Sequence, residues 1–129
     1  MAKSILIIGE DPSQIDFAAP DAPPGMSAAK VRDGLRGSMW RLEAAGHAAT
    51  LLLTRDAETV EAQVTEALTD ARYDVIVVGA GLRTLPPMAA QFERLMNVIH
   101  ERAPNARLAF NSQPGDSDVA ALRWLRRVA

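Results

Sequence analysis

Apolar positions along the chain fall into two rhythms that alternate four times. Ile5-Leu6-Ile7-Ile8 is a continuous run that ends at Gly9-Glu10-Asp11, and Val75-Ile76-Val77-Val78 is another that ends at Gly79-Ala80-Gly81. Short uninterrupted runs rich in β-branched residues and closed by glycine predict strands covered on both faces, as in a parallel sheet. Ala48 to Thr54, with Leu51-Leu52-Leu53 inside it, and Arg107 to Asn111 predict two more strands. Between them the spacing changes to that of helices. Val31, Leu35, Met39 and Leu42 mark a helix over about 27–45, with Ser27 as N-cap and Gly46 just past its end. Val60, Val64 and Leu68 mark a second helix, which Asp56 caps. Phe92, Leu95, Met96 and Ile99 mark a third, opened by Pro86-Pro87. Val119, Leu122 and Leu125 predict the buried stripe of a fourth, which starts near Asp116 or Ser117 and ends at Arg126-Arg127.

The order βαβαβαβα, joined by right-handed crossovers, predicts a three-layer α/β fold with a doubly wound parallel sheet. The strand order expected is 2-1-3-4, the flavodoxin-like order less its fifth strand. Helices after strands 1 and 4 then cover one face, and those after strands 2 and 3 the other. The 129 residues suit a single domain, 1–129, with no internal repeat. One connection breaks the economy. The 10–26 loop carries Pro12, Pro20, Pro23, Pro24 and Gly25, whereas strand-to-helix loops in such units usually take ~2–6 residues. It leaves the carboxyl end of strand 1, and it reads as a lid, an arm or a passive insertion.

Composition narrows the function classes. A net charge of −2 argues against nonspecific nucleic-acid binding, which needs a basic face. No stretch approaches the ~20 apolar residues of a membrane span, so no membrane partner is expected. Zero cysteines remove disulfides and thiolate chemistry and suit the cytoplasm. Isolated His47, expected in an exposed loop, and His100, near a helix end, provide no zinc set.

In doubly wound sheets ligands sit outside the carboxyl ends of the strands, where strand order reverses. There topology gathers Glu10, Asp11, Thr54, Arg55, Gly79, Gly81, Arg83, Asn111 and Ser112. Two carboxylates, two arginines, a glycine turn and a group of amides and hydroxyls suit a small anionic or polar ligand, with Glu10, Asp11, Arg55, Gly79, Gly81, Arg83, Asn111 and Ser112 as contacts. The competing account is that loops are polar because they are solvated. If the chain is an enzyme, Glu10 or Asp11 is its general base. No cofactor is named: Gly79-Ala80-Gly81 lacks the third glycine of a dinucleotide fingerprint and follows strand 3 rather than strand 1. There is no Walker A pattern. Gly115-Asp116-Ser117 resembles the serine block of an esterase group, but it opens the last helix, where capping explains it.

The acidic pair Glu10-Asp11, the run Arg72-Tyr73-Asp74-Val75-Ile76-Val77-Val78, and Ala103-Pro104-Asn105-Ala106-Arg107 entering strand 4 together resemble a response-regulator receiver domain over about residues 4–112. The resemblance implies magnesium on the acidic pair, a phosphoacceptor ending strand 3 and a hydroxyl residue ending strand 4. Ser112 or Asn111 matches the last position, but Gly79 stands at the phosphoacceptor position and cannot be phosphorylated. The lysine after strand 5 has no counterpart. The resemblance therefore implies a non-enzymatic interaction module that works without phosphorylation, the alternative to a ligand-binding protein. A homodimer is also expected. Met88, Phe92, Leu95, Met96 and Ile99 span a wide arc of the third helix, and Trp40 and Trp124 fall off their helices' buried stripes.

Overall fold

The computed structural model describes residues 2–20, 22, 24–82 and 88–126. Its strands are β1 (Ser4–Glu10), β2 (Ala48–Thr54), β3 (Val75–Val78) and β4 (Arg107–Phe110). They form one parallel sheet in the order β2-β1-β3-β4, as the alternation predicts. The helices are α1 (Ala28–Ala44), α2 (Val60–Asp70), α3 (Ala89–Arg102) and α4 (Ser117–Leu125). The result is a three-layer α/β sandwich of flavodoxin-like order.

The two-residue period of the central strand divides the core. Ile5 and Ile7 pack with Val31, Leu35 and Leu42 of α1 and with Ala120, Ala121 and Leu125 of α4. Leu6 and Ile8 pack with Val60, Val64 and Leu68 of α2 and with Leu95 and Ile99 of α3. This is the predicted distribution of helices over the two faces. Ser27 caps α1 by accepting the Lys30 amide at 3.2 Å, and Gly46 follows the helix at φ 93°, a conformation that costs glycine least.

The stripe of α4 differs from expectation. Val119 and Leu122 are 52% and 40% exposed, while Ala120, Ala121, Ser117 and Asp118 are buried. Polar anchors set this rotation. Ser38 on α1 donates to Asp118 (3.2 Å), Arg41 Nε donates to the same carboxylate (2.8 Å), and Asn111 Nδ2 donates to the Ser117 hydroxyl (2.9 Å). The two alanines then face the sheet, where small side chains permit close packing. Gly34 records how close α1 comes to the turn before α4: a Cβ there would lie 2.9 Å from the Gly115 nitrogen.

The apolar arc of α3 also turns inward. Leu95 and Ile99 are buried, and Phe92 and Met96 pack against the same core. Trp124 packs on the opposite core, which leaves Trp40, 70% exposed, as the tryptophan facing solvent. His47, expected in an exposed loop, is half-buried and accepts the Lys3 amide at Nδ1 (3.1 Å). Pro86-Pro87 and Arg127 lie outside the described residues, and so does Arg83.

The 10–26 loop begins as a 3-10 turn at Pro12–Gln14. Phe17 and Met26 then fix it to the core between the sheet and α1. No described helix is long and apolar enough to cross a membrane.

Candidate functional site

A cavity of about 200 Å³ opens at the carboxyl ends of the strands, on the α2–α3 side. Most of its wall comes from four places. Glu10 ends β1, Thr54 and Arg55 end β2, Leu82 belongs to the turn after β3, and Met88 and Gln91 stand at the start of α3. Asp56, Val60 and Gln14 complete it. Past Glu10, Gln14 is the only described residue of the proline-rich loop that takes part, since Phe17 and Met26 pack on the other face of the sheet. Through Gln14 the described part of the loop forms an edge of this cavity.

Glu10 and Asp11 are neighbours in sequence with opposite fates. Alternation along β1 sends their side chains to different sides. Asp11 is almost covered; it accepts the Ser13 amide (2.9 Å) and Arg55 Nε (2.7 Å). The Ser13 amide first, and then Arg55, hold its carboxyl down at about 2. Glu10 is half-buried, and among the described residues it has no hydrogen-bond or ion-pair partner. Burial without a partner pushes its carboxyl above the ordinary value.

Arg55 is therefore committed to Asp11, although its side chain remains 71% exposed. The segment after it is strapped from several directions. Gln63 Nε2 donates to the Arg55 carbonyl, Thr59 Oγ1 donates to the carbonyls of Arg55 (3.1 Å) and Asp56 (3.0 Å), and the Asp56 amide donates to Gln14 Oε1 (3.4 Å). These bonds hold Asp56 at φ 58°, where a residue other than glycine is strained.

Gly79 is buried against β1. Its amide donates to the Ile8 carbonyl at 2.8 Å, and a Cβ there would sit 3.1 Å from that same oxygen. Position 79 thus has tight quarters for any side chain. Gly81 lies beside Glu10: a Cβ there would be 3.6 Å from Oε2.

Asn111 and Ser112 do not join the cavity wall. Asn111, 4% exposed, accepts the Ala80 amide at Oδ1 (2.8 Å) and donates to Ser117, whose hydroxyl donates on to the Pro114 carbonyl (2.9 Å). Ser112 bonds to Asp116 through both its hydroxyl and its amide. Burial opposes ionisation of Asp116, but the Ser112 and Gln113 donors prevail and its carboxyl stays below the ordinary value. Asp118 behaves in the same way: burial pushes up, and Arg41 with Ser38 pulls it down further.

Sequence reasoning missed two groups of residues. Gln14, Met88 and Gln91 reach the cavity through tertiary placement that no local pattern marks. The Ser38–Arg41–Asp118 network does leave a trace. Ser38, fully buried, interrupts the apolar stripe of α1 at helical spacing from Val31, Leu35 and Leu42.

No family model matches this chain, and no curated protein matches it in sequence. Among solved structures, it is similar to a crystallised fragment described as a "putative lipoprotein" from Peptoclostridium difficile 630. The two share 14% identity over 97% of this chain and 96% of that chain, with a TM-score of 0.53. At that identity the likeness is one of fold: both chains are α/β sandwiches of this class.

Proposed function

We propose that the chain binds a small polar ligand at the carboxyl end of the sheet, and that the ligand carries a hydrogen-bond donor or an ammonium group. The Glu10 carboxylate on the cavity wall, unpartnered among the described residues, carries this reading. A half-buried acceptor without a donor loses its hydration for no return, and a ligand N–H or O–H restores the missing bond. The electrostatics of the wall point the same way. Glu10 and Asp56 are acidic, and the one described arginine there is already paired with Asp11. An anion would meet two carboxylates and a neutralised guanidinium. A cavity of about 200 Å³ falls below the ~300–1,000 Å³ of drug-sized sites, so the ligand is a small one.

If the site is catalytic, Glu10 is the proton-transfer group. Its carboxyl has moved up toward the range in which a general acid or base works, whereas Asp11 has moved away from it. The test is a thermal-shift panel of small amines, amides and polyols set beside phosphates and carboxylates, followed by calorimetry on hits. A donor-bearing compound should bind, and Glu10→Gln should weaken it at least about tenfold, the cost of a charge-assisted bond. Phosphate binding that survives Glu10→Gln would overturn the proposal.

The second reading, a receiver-like interaction module without phosphorylation, draws on Val119 and Leu122, which α4 turns to solvent. Loss of a protein partner on Leu122→Glu, with small-molecule binding absent throughout, would favour it.

A further inference from the structure

The two edges of the sheet are finished differently. β4 has four residues, opens with exposed Arg107, and has the Phe110 carbonyl covered by Arg123 of α4 at 3.0 Å. Short length and edge charges are the usual means of keeping a strand from pairing outward. β2 has none of these. It is seven residues long, reads Ala48-Ala49-Thr50-Leu51-Leu52-Leu53-Thr54, and contains no charge, proline or glycine. Among the described residues its only strand neighbour is β1. The Ala48 amide donates to Lys3, and the Thr54 carbonyl accepts from Asp11, so even-numbered residues direct their backbone groups inward. Alternation leaves the N–H and C=O groups of Ala49, Leu51 and Leu53 on the open side.

We propose that β2 is the seam of a homodimer, in which it pairs antiparallel with β2 of a second copy about a two-fold axis at Leu51. The segment is self-complementary in that register. Leu51 faces Leu51, and Ala49 faces Leu53 of the second copy. All three pairs are of the hydrogen-bonded kind, because the outward backbone groups belong to these residues. Side chains opposite one another share a face, so each core continues across the seam. The result is a continuous eight-stranded sheet with closed two-fold symmetry.

The helix above the seam identifies the occupant as a second copy. Gly34 and Arg41 of α1 face the turn before α4 and α4 itself, which leaves Arg32, Met39 and Glu43 on the flank toward the β2 edge. Strand residues advance ~3.3 Å and helix residues ~1.5 Å, so the level of Leu51 falls at about residues 37–38 of α1. Two antiparallel copies of α1 crossing there set Arg32 opposite Glu43 of the second copy, twice over. Both residues are exposed in the single chain. The pairing is thus complementary in backbone, in shape and in charge.

Light scattering and hydrogen exchange on the full chain test this together. The expected species has twice the 13.9 kDa mass, and the amides of Ala49, Leu51 and Leu53 should gain protection at least about tenfold as concentration rises through the dimerisation range. Arg32→Glu and Glu43→Arg should each weaken association while leaving circular dichroism unchanged, and the double swap should restore it. A chain that stays at 13.9 kDa at all concentrations overturns the proposal. So does a dimer in which those three amides exchange as they do in dilute protein, or in which the double swap stays monomeric.

Discussion

At the carboxyl end of the sheet, the side under β1 and β2 and the side under β4 carry similar polar residues in very different states. Under β4, Asn111 bridges the Ala80 amide and Ser117, Ser112 and Gln113 bond to Asp116, and every one of these groups answers another within the protein. Under β1 and β2, Asp11 is equally committed, to Ser13 and Arg55, but Glu10 beside it is not. Polarity at a strand end is therefore a poor guide to function taken alone. The informative residue is the buried or half-buried polar group whose partners are missing.

The largest losses are expected on the self-satisfied side. Asn111→Ala removes an acceptor and a donor from a buried bridge, and it should cost about 2–3 kcal/mol in urea unfolding, with the midpoint lowered and the slope unchanged. Gly34→Ala should cost about 2 kcal/mol by the same measurement, since its Cβ meets the Gly115 backbone at 2.9 Å and Pro114 Cβ at 3.0 Å. An unshifted midpoint for Gly34→Ala would mean that α1 and the 114–116 turn are not held at this distance.

The acidic pair separates by sign. Asp11 titrates at about 2, below its ordinary 3.8, so its contribution to stability is complete above that ordinary value and disappears as pH falls through about 2. Asp11→Asn should flatten this acid limb. Glu10 is raised, so its effect runs the other way: stability declines as pH rises from 4.5 through the raised value. Glu10→Gln should abolish that decline and shift stability at neutral pH upward by no more than about 0.5 kcal/mol. Unfolding curves from pH 2 to 7 on both variants would show the two limbs; limbs of the same sign would refute the opposite roles of the two carboxylates.

The fold was legible because its signals are local and redundant. Apolar runs in β1 and β3, the stripes of α1 and α2, and the caps at Ser27 and Gly46 all agree with one topology. The rotation of α4 was not legible. Val119 and Leu122 look like core by spacing, but the helix is turned by Asn111 at the end of the preceding strand and by Ser38 and Arg41, which are far from it in sequence. The site was half legible for the same reason. Topology located Glu10, Asp11 and Arg55 at one edge. That Arg55 would close on Asp11 rather than stay available to a ligand depends on where two strand ends meet, which periodicity does not encode.

The central position of β1 has a consequence for how the chain assembles. β1 precedes both of its neighbours, and its parallel ladders can close only after a crossover has formed, through α1 to reach β2 and through α2 as well to reach β3. During synthesis Ile5, Leu6, Ile7 and Ile8 leave the ribosome long before the strands that cover them. Ile5 and Ile7 belong to one face and Leu6 and Ile8 to the other, and β3 contributes Val75 and Val77 to the first and Ile76 and Val78 to the second, so neither layer can be completed before β3 arrives. Assembly is then a late and collective event, set by the arrival of β3, and a nascent chain truncated before residue 75 has a central strand with only one neighbour.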